Sequence, residues 1–371
     1  MARLRSVAFY LPQYHPIRLN DEAWGPGFTE WFNVVKARPR FRGHEQPHLP
    51  ADLGFYDLRL SATREAQADL AKKYGVDAFC YYHYWFDGRR LLEQPFAEVL
   101  ASGTPGLPFM LCWANENWTR VWDGGDKHIL AEQNYSDEDD RAHIKSLLPA
   151  FRDHRYVCVD GKPVFLVYRA SRLPDPARTM AAWREEAAKA GLAGLYLMRV
   201  EGLAEDRSDP QQQGFDASVE FHPHAGSMGP RVVPGRGVGR TLRRVLRPTS
   251  PYRTNRVYSY ARMVEAALQK ESPNWKRYRC VTPMWDNSAR RATGARIIIG
   301  SRPELYESWL RRVVDNFTPF SKDENFVFVN AWNEWAEGNH LEPDQRWGHR
   351  YLEAHRTGMH GSSANRFDRP H

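Results

Sequence analysis

Cysteine is scarce in these 371 residues: Cys80, Cys112, Cys158 and Cys280 lie far apart and never form a CxxC pair. That excludes a disulfide framework and a ribbon-type zinc site, and predicts buried free thiols in a reducing compartment. Long apolar runs are missing as well. No stretch has the length of a membrane-spanning helix. The N-terminal "MARLRSVAFYLPQYHP" breaks at Gln13 and His15, too soon for the core of a signal peptide. A cytoplasmic protein is the resulting expectation. No glycine-rich phosphate loop follows the first apolar run, where "FYLPQYHP" enters a loop instead, so a dinucleotide fold has little support. Acidic residues are absent from 229–256, which holds eight arginines; against a net charge of +7, the rest of the chain sums to −1. The basicity is therefore local. It suits a solvated loop, or an anion-binding or membrane-surface flap.

What is present is aromatic: 13 Trp, 17 Tyr and 18 Phe, enough for stacking walls as well as a core. Strand-length apolar runs alternate with amphipathic stretches through about eight strand-then-helix units. That order predicts a (β/α)8 TIM barrel as a single domain with long βα loops, over residues 1–357 with the arginine loop 229–256 as an insertion. The polar segment 358–371 is expected to be a disordered tail.

A barrel builds its site where the strands end. Those ends read "PQYHP", "YYHYWFDG", "CWANENWTRVWDGG", "VYRAS", "MRVEG", "VEFHPHAG", "TPMWDNSARR" and "NAWNEWAEG", nearly all rich in aromatic, amide or acidic groups. The last carries Glu334 and Glu337 between tryptophans. Residues three apart face one side only in a helical turn, so both carboxylates can serve one pocket if the chain turns just after Asn330, as Gly338 permits. Two close carboxylates repel, one pKa rises, and a general acid and a base result, the equipment of glycoside hydrolysis. Trp332 and Trp335 would sharpen that split. The plainer alternative has these glutamates capping the next helix or pairing with Arg346 and Arg350.

Candidate sugar-binding groups are Trp113, Asn115, Glu116, Asn117 and Trp118, which could equally form a structural turn. Tyr10, Gln13, Tyr14, Glu30, Trp31, His83 and Trp85 stand between pocket lining and satisfied core groups. Glu220, His222 and His224 spell an HxH that could hold a metal, bind sugar or fill the core. Trp285, Asp286 and Asn287 adjoin Arg290 and Arg291, of which one arginine could meet an acidic substrate group or hold the loop by a salt bridge. Asn333 and Trp335 complete the set.

"GFTEWFNVVKARPRFRGHEQPHLPADLGFYDLR", "AFCYYHYWFDGRRLLEQP", "CWANENWTRVWDG", "PMWDNSARR" and "NAWNEWAEGNHLEPD" together resemble the WbsX-type family, which is related to glycoside hydrolase family 99. The likeness runs from about Val7 to Leu352, leaving out the arginine loop and the tail. It implies a retaining α-mannosidase-like enzyme that needs no cofactor and no metal. By that likeness Glu334 takes the proton of the sugar 2-hydroxyl, whose oxygen attacks the anomeric carbon. Glu337 protonates the leaving oxygen and then activates water or a sugar hydroxyl. The implied partner is an oligosaccharide or polysaccharide, anionic or lipid-linked if the arginines contact it, and not a nucleic acid. The WbsX label itself implies glycosyl transfer in surface-polysaccharide biosynthesis, although nothing resembles a nucleotide-sugar site on a Rossmann scaffold. A catalytically inactive glycan-binding barrel is a further alternative.

Overall fold

The computed structural model describes residues 3–120, 125–232 and 251–360. Eight strands form the frame: β1 (Arg5–Tyr10), β2 (Ala78–Phe86), β3 (Phe109–Trp113), β4 (Lys162–Val167), β5 (Tyr196–Glu201), β6 (Ala217–Glu220), β7 (Arg277–Val281) and β8 (Phe326–Val329). Each pairs in parallel with the next, and β1 closes the ring by pairing with both β2 and β8, Tyr10 opposite Tyr81 and Ala8 opposite Val329. This is a closed (β/α)8 barrel, with strand positions where the apolar runs place them. The strands read as near-continuous apolar runs because they are covered on both faces; all nine residues of β2 are buried.

Among the described residues the longer helices, packed outside, are α1 (Ser61–Lys73), α2 (Gln94–Ser102), α3 (Asp137–Phe151), α4 (Pro176–Lys189), α5 (Tyr260–Leu268), α6 (Pro303–Asn316) and α7 (Arg350–Met359). Local chemistry starts them where expected. Ser136 accepts from the backbone N–H of Asp139 at 3.1 Å ahead of α3, and Asp175 accepts from Arg178 at 3.1 Å ahead of α4, with Pro176 in its first turn. Between β5 and β6 the chain makes only short 3-10 turns, Glu205–Arg207 and Pro210–Gln213.

Three stretches depart from the pattern read in the sequence. Arg89–Leu91 folds back on β2 as a short antiparallel strand, so that helix begins only at Gln94. Arg256–Ser259, of which Tyr258 and Ser259 were expected at the head of a helix, pairs in parallel with Arg296–Ile299, which in turn pairs with Trp285–Asp286. Their β-branched and aromatic side chains are buried in a small sheet beside the barrel mouth, and burial there outweighs helical continuity. The final helix runs to Met359, two residues into the segment read as tail. The arginine-rich stretch 233–250 and residues 361–371 lie outside the described residues. Cys80, Cys112 and Cys280 are buried free thiols, whereas Cys158 is only half-buried. Among the described residues no helix is long and apolar enough to cross a membrane.

Candidate active site

The chain leaves β8 and makes a tight hairpin, Asn333 opposite His340 and Glu334 opposite Asn339, with a 3-10 turn over Trp335–Glu337 at its tip. Gly338 closes the turn in the left-handed region, at φ +52°. A Cβ on Gly338 would also stand 3.1 Å from the Asp286 carbonyl oxygen, so glycine is required twice over. The turn brings Glu334 and Glu337 to one cleft of about 910 Å³, lined also by Tyr82, Tyr84, Trp118, Tyr168 and Trp285.

Arg290 joins the two glutamates. Its Nη2 lies 3.1 Å from Glu334 and its Nη1 2.8 Å from Glu337, while Glu30 sits 3.1 Å from the same Nη2. The buried carboxylates of Glu30 and Glu334 and the half-buried one of Glu337 thus share one guanidinium. Burial pushes Glu334 up to about 8, with Glu337 and Glu30 adding to the rise and Arg290 pulling against it. Burial likewise raises Glu337, against Arg290, Arg296 and Arg291, and raises Glu30 against Arg290. Burial thus outweighs the arginines, and the cluster keeps a proton to higher pH than free carboxylates would. The plainer alternative is not what the structure shows, because Arg346 pairs with Glu45 and Arg350 with Glu304.

The turn is fastened from behind. Glu342 accepts four hydrogen bonds: from Trp332 Nε1 at 2.9 Å, Trp335 Nε1 at 2.7 Å, Gln67 at 2.6 Å and the Tyr56 hydroxyl at 2.8 Å. Burial raises its pKa to about 7 while the four donors draw it back toward the carboxylate. Asn333 clamps the backbone of Leu11 with both ends of its amide, at 2.7 and 3.0 Å. The Tyr14 hydroxyl donates to the Asn333 carbonyl and accepts from the N–H of Trp335. Trp31 packs on Tyr14 and Trp335, and Gln13, also buried, accepts the Glu30 N–H on its carbonyl. Gln13, Tyr14, Trp31, Asn333 and Trp335 therefore support the carboxylates from below.

Glu116, Asn117 and Trp118 line the cleft; Glu116 pairs with Arg169 at 3.0 Å. Asn115 instead turns away to hold the backbone of Arg169 at 2.8 Å in both directions. Other residues picked from strand ends point outward, and strand parity is the reason. Tyr10 donates to Gln67 of α1; His83 meets His143 of α3 at 3.0 Å; Trp85 donates to Asp139. Trp113 packs on His143 and Trp183. Glu220 is buried against Lys270 at 3.2 Å and Arg279 at 2.9 Å. Their neighbours one step along, Tyr82, Tyr84 and Phe221, occupy the cleft, as does Tyr168.

His222 is buried with Nδ1 3.1 Å from the Ser227 hydroxyl, and His224, in the cleft, is 2.8 Å from Arg207. Both side chains are thus engaged by protein groups. Asp286 lies behind the turn, 2.5 Å from His44 Nε2. Sequence reading passed over Tyr82, Tyr84, Tyr168, Arg207, Arg296 and Glu342. A count of twos along β2 would have found the first pair.

The family model described as Glycosyltransferase WbsX matches residues 6–355. Two curated relatives, both named "Uncharacterized protein WxcX" and from two strains of Xanthomonas campestris pv. campestris, are 43% identical over 354 residues, 95% of this chain. The chain spans about half of their length, 49%. Among solved structures, a GH99 endo-alpha-mannosidase from Bacteroides thetaiotaomicron aligns with a TM-score of 0.56 at 13% identity, covering 96% of both chains. A glycoside hydrolase-like protein aligns at 0.57 and 13%, covering 97% of this chain and 94% of the other. At that identity the likeness establishes the barrel.

Proposed function

This chain belongs to the glycosyltransferase WbsX family, and from that premise we propose that it is a carbohydrate-active enzyme that cleaves or transfers at an α-mannoside-like glycosidic bond with retention. The observation that carries this reading is the Glu334/Glu337 pair on one turn, bridged by Arg290 in an aromatic-walled cleft. In the proposed reaction Glu334 accepts the 2-hydroxyl proton as that oxygen attacks the anomeric carbon. Glu337 gives its proton to the departing oxygen, then takes one from the incoming water or sugar hydroxyl as that oxygen attacks the anomeric carbon, the bond from that carbon to the 2-oxygen breaks, and Glu334 returns the proton to the 2-oxygen. Burial raises both carboxyls, so the pair keeps a proton in the empty site. Arg290, in contact with both, is placed to stabilise the arrangement with that proton on Glu337. Tyr82, Tyr84, Trp118 and Tyr168 offer faces for stacking sugar rings.

The substrate we propose is an anionic oligosaccharide or polysaccharide. Arg169, Arg207, Arg290, Arg291 and Arg296 line the cleft against Glu116, Glu334 and Glu337, which leaves an excess of positive charge. Incubation with α-mannosides and with acidic surface glycans, followed by product analysis, tests the reading. A new reducing end marks hydrolysis, and a lengthened glycan marks transfer, which the family description favours. Binding without product in every case would reduce the protein to a glycan-binding barrel.

A further inference from the structure

Behind the catalytic turn, three side chains from two loops converge. His48 Nδ1 lies 3.1 Å from His340 Nε2, which lies 3.7 Å from Asp344 Oδ2, and all three atoms fall within 4.8 Å of one another. The hydrogen bonds around them determine what each presents. His340 Nδ1 is 2.9 Å from the Glu342 carbonyl, an acceptor only, so the ring proton sits on Nδ1 and Nε2 offers a lone pair. Asp344 Oδ1 accepts the backbone N–H groups of Arg346 and Trp347, at 2.9 and 2.5 Å. That leaves Oδ2 to face the imidazoles. A carboxylate oxygen and a bare imidazole nitrogen, both electron-rich, thus face each other.

We propose that His48, His340 and Asp344 bind one divalent transition-metal ion of the zinc class. Two imidazoles and one carboxylate are a frequent donor set for such ions, and ligand atoms about 2.0–2.2 Å from a tetrahedral metal stand roughly 3.3–3.6 Å apart, between the two separations seen here. Each donor also has the outer support such sites need. The Glu342 carbonyl fixes the His340 tautomer, and two backbone N–H groups orient Asp344. His48 and Asp344 border a cavity of about 390 Å³, which leaves room for water or a ligand atom at a fourth position.

The stretch "HEQPH", His44 to His48, carries the HExxH spelling, which the sequence reading took to be absent and which ordinarily places both histidines on one helical face. Here the backbone is irregular, His44 goes to Asp286, and His48 alone joins the cluster. The ion therefore positions rather than reacts. His340 stacks on Trp335 at 3.7 Å and pairs with Asn333 across the hairpin, so the ion ties the loop after β1 to the return limb of the turn that carries Glu334 and Glu337. The inference is independent of which bond the enzyme acts on.

The test uses the full chain, stripped by chelator, desalted and titrated with Co2+ and then Zn2+. The expected result is one Co2+ per chain by elemental analysis, visible d–d absorption, displacement by Zn2+, and a higher Tm with metal. His48→Gln and Asp344→Asn should each weaken Co2+ binding about tenfold or more. Asn keeps an oxygen for the two backbone N–H groups, so that variant retains its loop. A wild-type chain that takes up no stoichiometric metal overturns the proposal, and so does undiminished binding in both variants.

Discussion

The indole Nε1 of Trp335 donates to Glu342 Oε2 at 2.7 Å, so the residue between the two catalytic candidates hangs on a third glutamate. Glu342 makes no contact with the cleft, yet it sets the angle of the turn. Glu342→Gln keeps the shape and replaces an acceptor oxygen with an amide that confronts N–H donors. The expected cost is about 1–3 kcal/mol of stability for the unsatisfied groups, with turnover falling more than KM rises. Thermal denaturation and steady-state kinetics check it; unchanged values for both would mean the turn holds itself.

The pH profile follows from burial of the carboxylate pair. Burial raises Glu337, the acid, so it keeps its proton to higher pH than an ordinary carboxyl and loses it as pH rises further. Activity should decline on the alkaline side. Arg290 lowers the pKa of both glutamates, so Arg290→Gln should move the alkaline limb upward. Because the raised carboxyls favour the folded state only while protonated, this variant should also lose stability as pH rises from about 5 through the further raised values of its carboxyls. A limb that stays put in Arg290→Gln would remove the pair from the role of acid.

Gly338→Ala tests the turn directly. A side chain at φ +52° is strained, and the new methyl would press on the Asp286 backbone. Loss of about 1–3 kcal/mol in stability is expected, together with at least a tenfold fall in kcat. Normal kinetics in a folded variant would show that the carboxylate geometry is not demanding.

Strand parity separates Tyr84 from Trp85. Tyr84→Ala should raise KM for an oligosaccharide with a small effect on Tm, whereas Trp85→Phe, which abandons Asp139, should lower Tm and leave KM alone. The reverse pattern would place the sugar on the other side of β2.

Arg240, Arg243, Arg244 and Arg247 lie outside the described residues, and their role is read from the sequence. Replacing all four with Gln should raise KM for an acidic glycan and spare a neutral glycoside, an effect that salt should erase because exposed charges are screened beyond about 8 Å. Equal effects on both substrates would leave the segment as a solvated loop.

Strand positions were legible because parallel barrel strands are buried on both faces and stand out as apolar runs. The carboxylate pair was legible because a spacing of three, a glycine and flanking tryptophans have few other uses at a strand end. Side-chain direction was less so. Residue type nominated Tyr10, His83, Trp85, Trp113 and Glu220, but on a strand a shift of one reverses the face, and the tyrosines between them took the cleft.

By itself, then, the sequence determined the barrel, the order of its strands and the turn that pairs Glu334 with Glu337, all consequences of local patterning along the chain. Only the tertiary structure decided that Arg290, forty-odd residues upstream, bridges that pair with Glu30, that Glu342 holds it from behind, and that His48 meets His340 and Asp344. Those contacts join loops far apart in the chain, and no spacing in a sequence records which loops a closed barrel will bring to the same end.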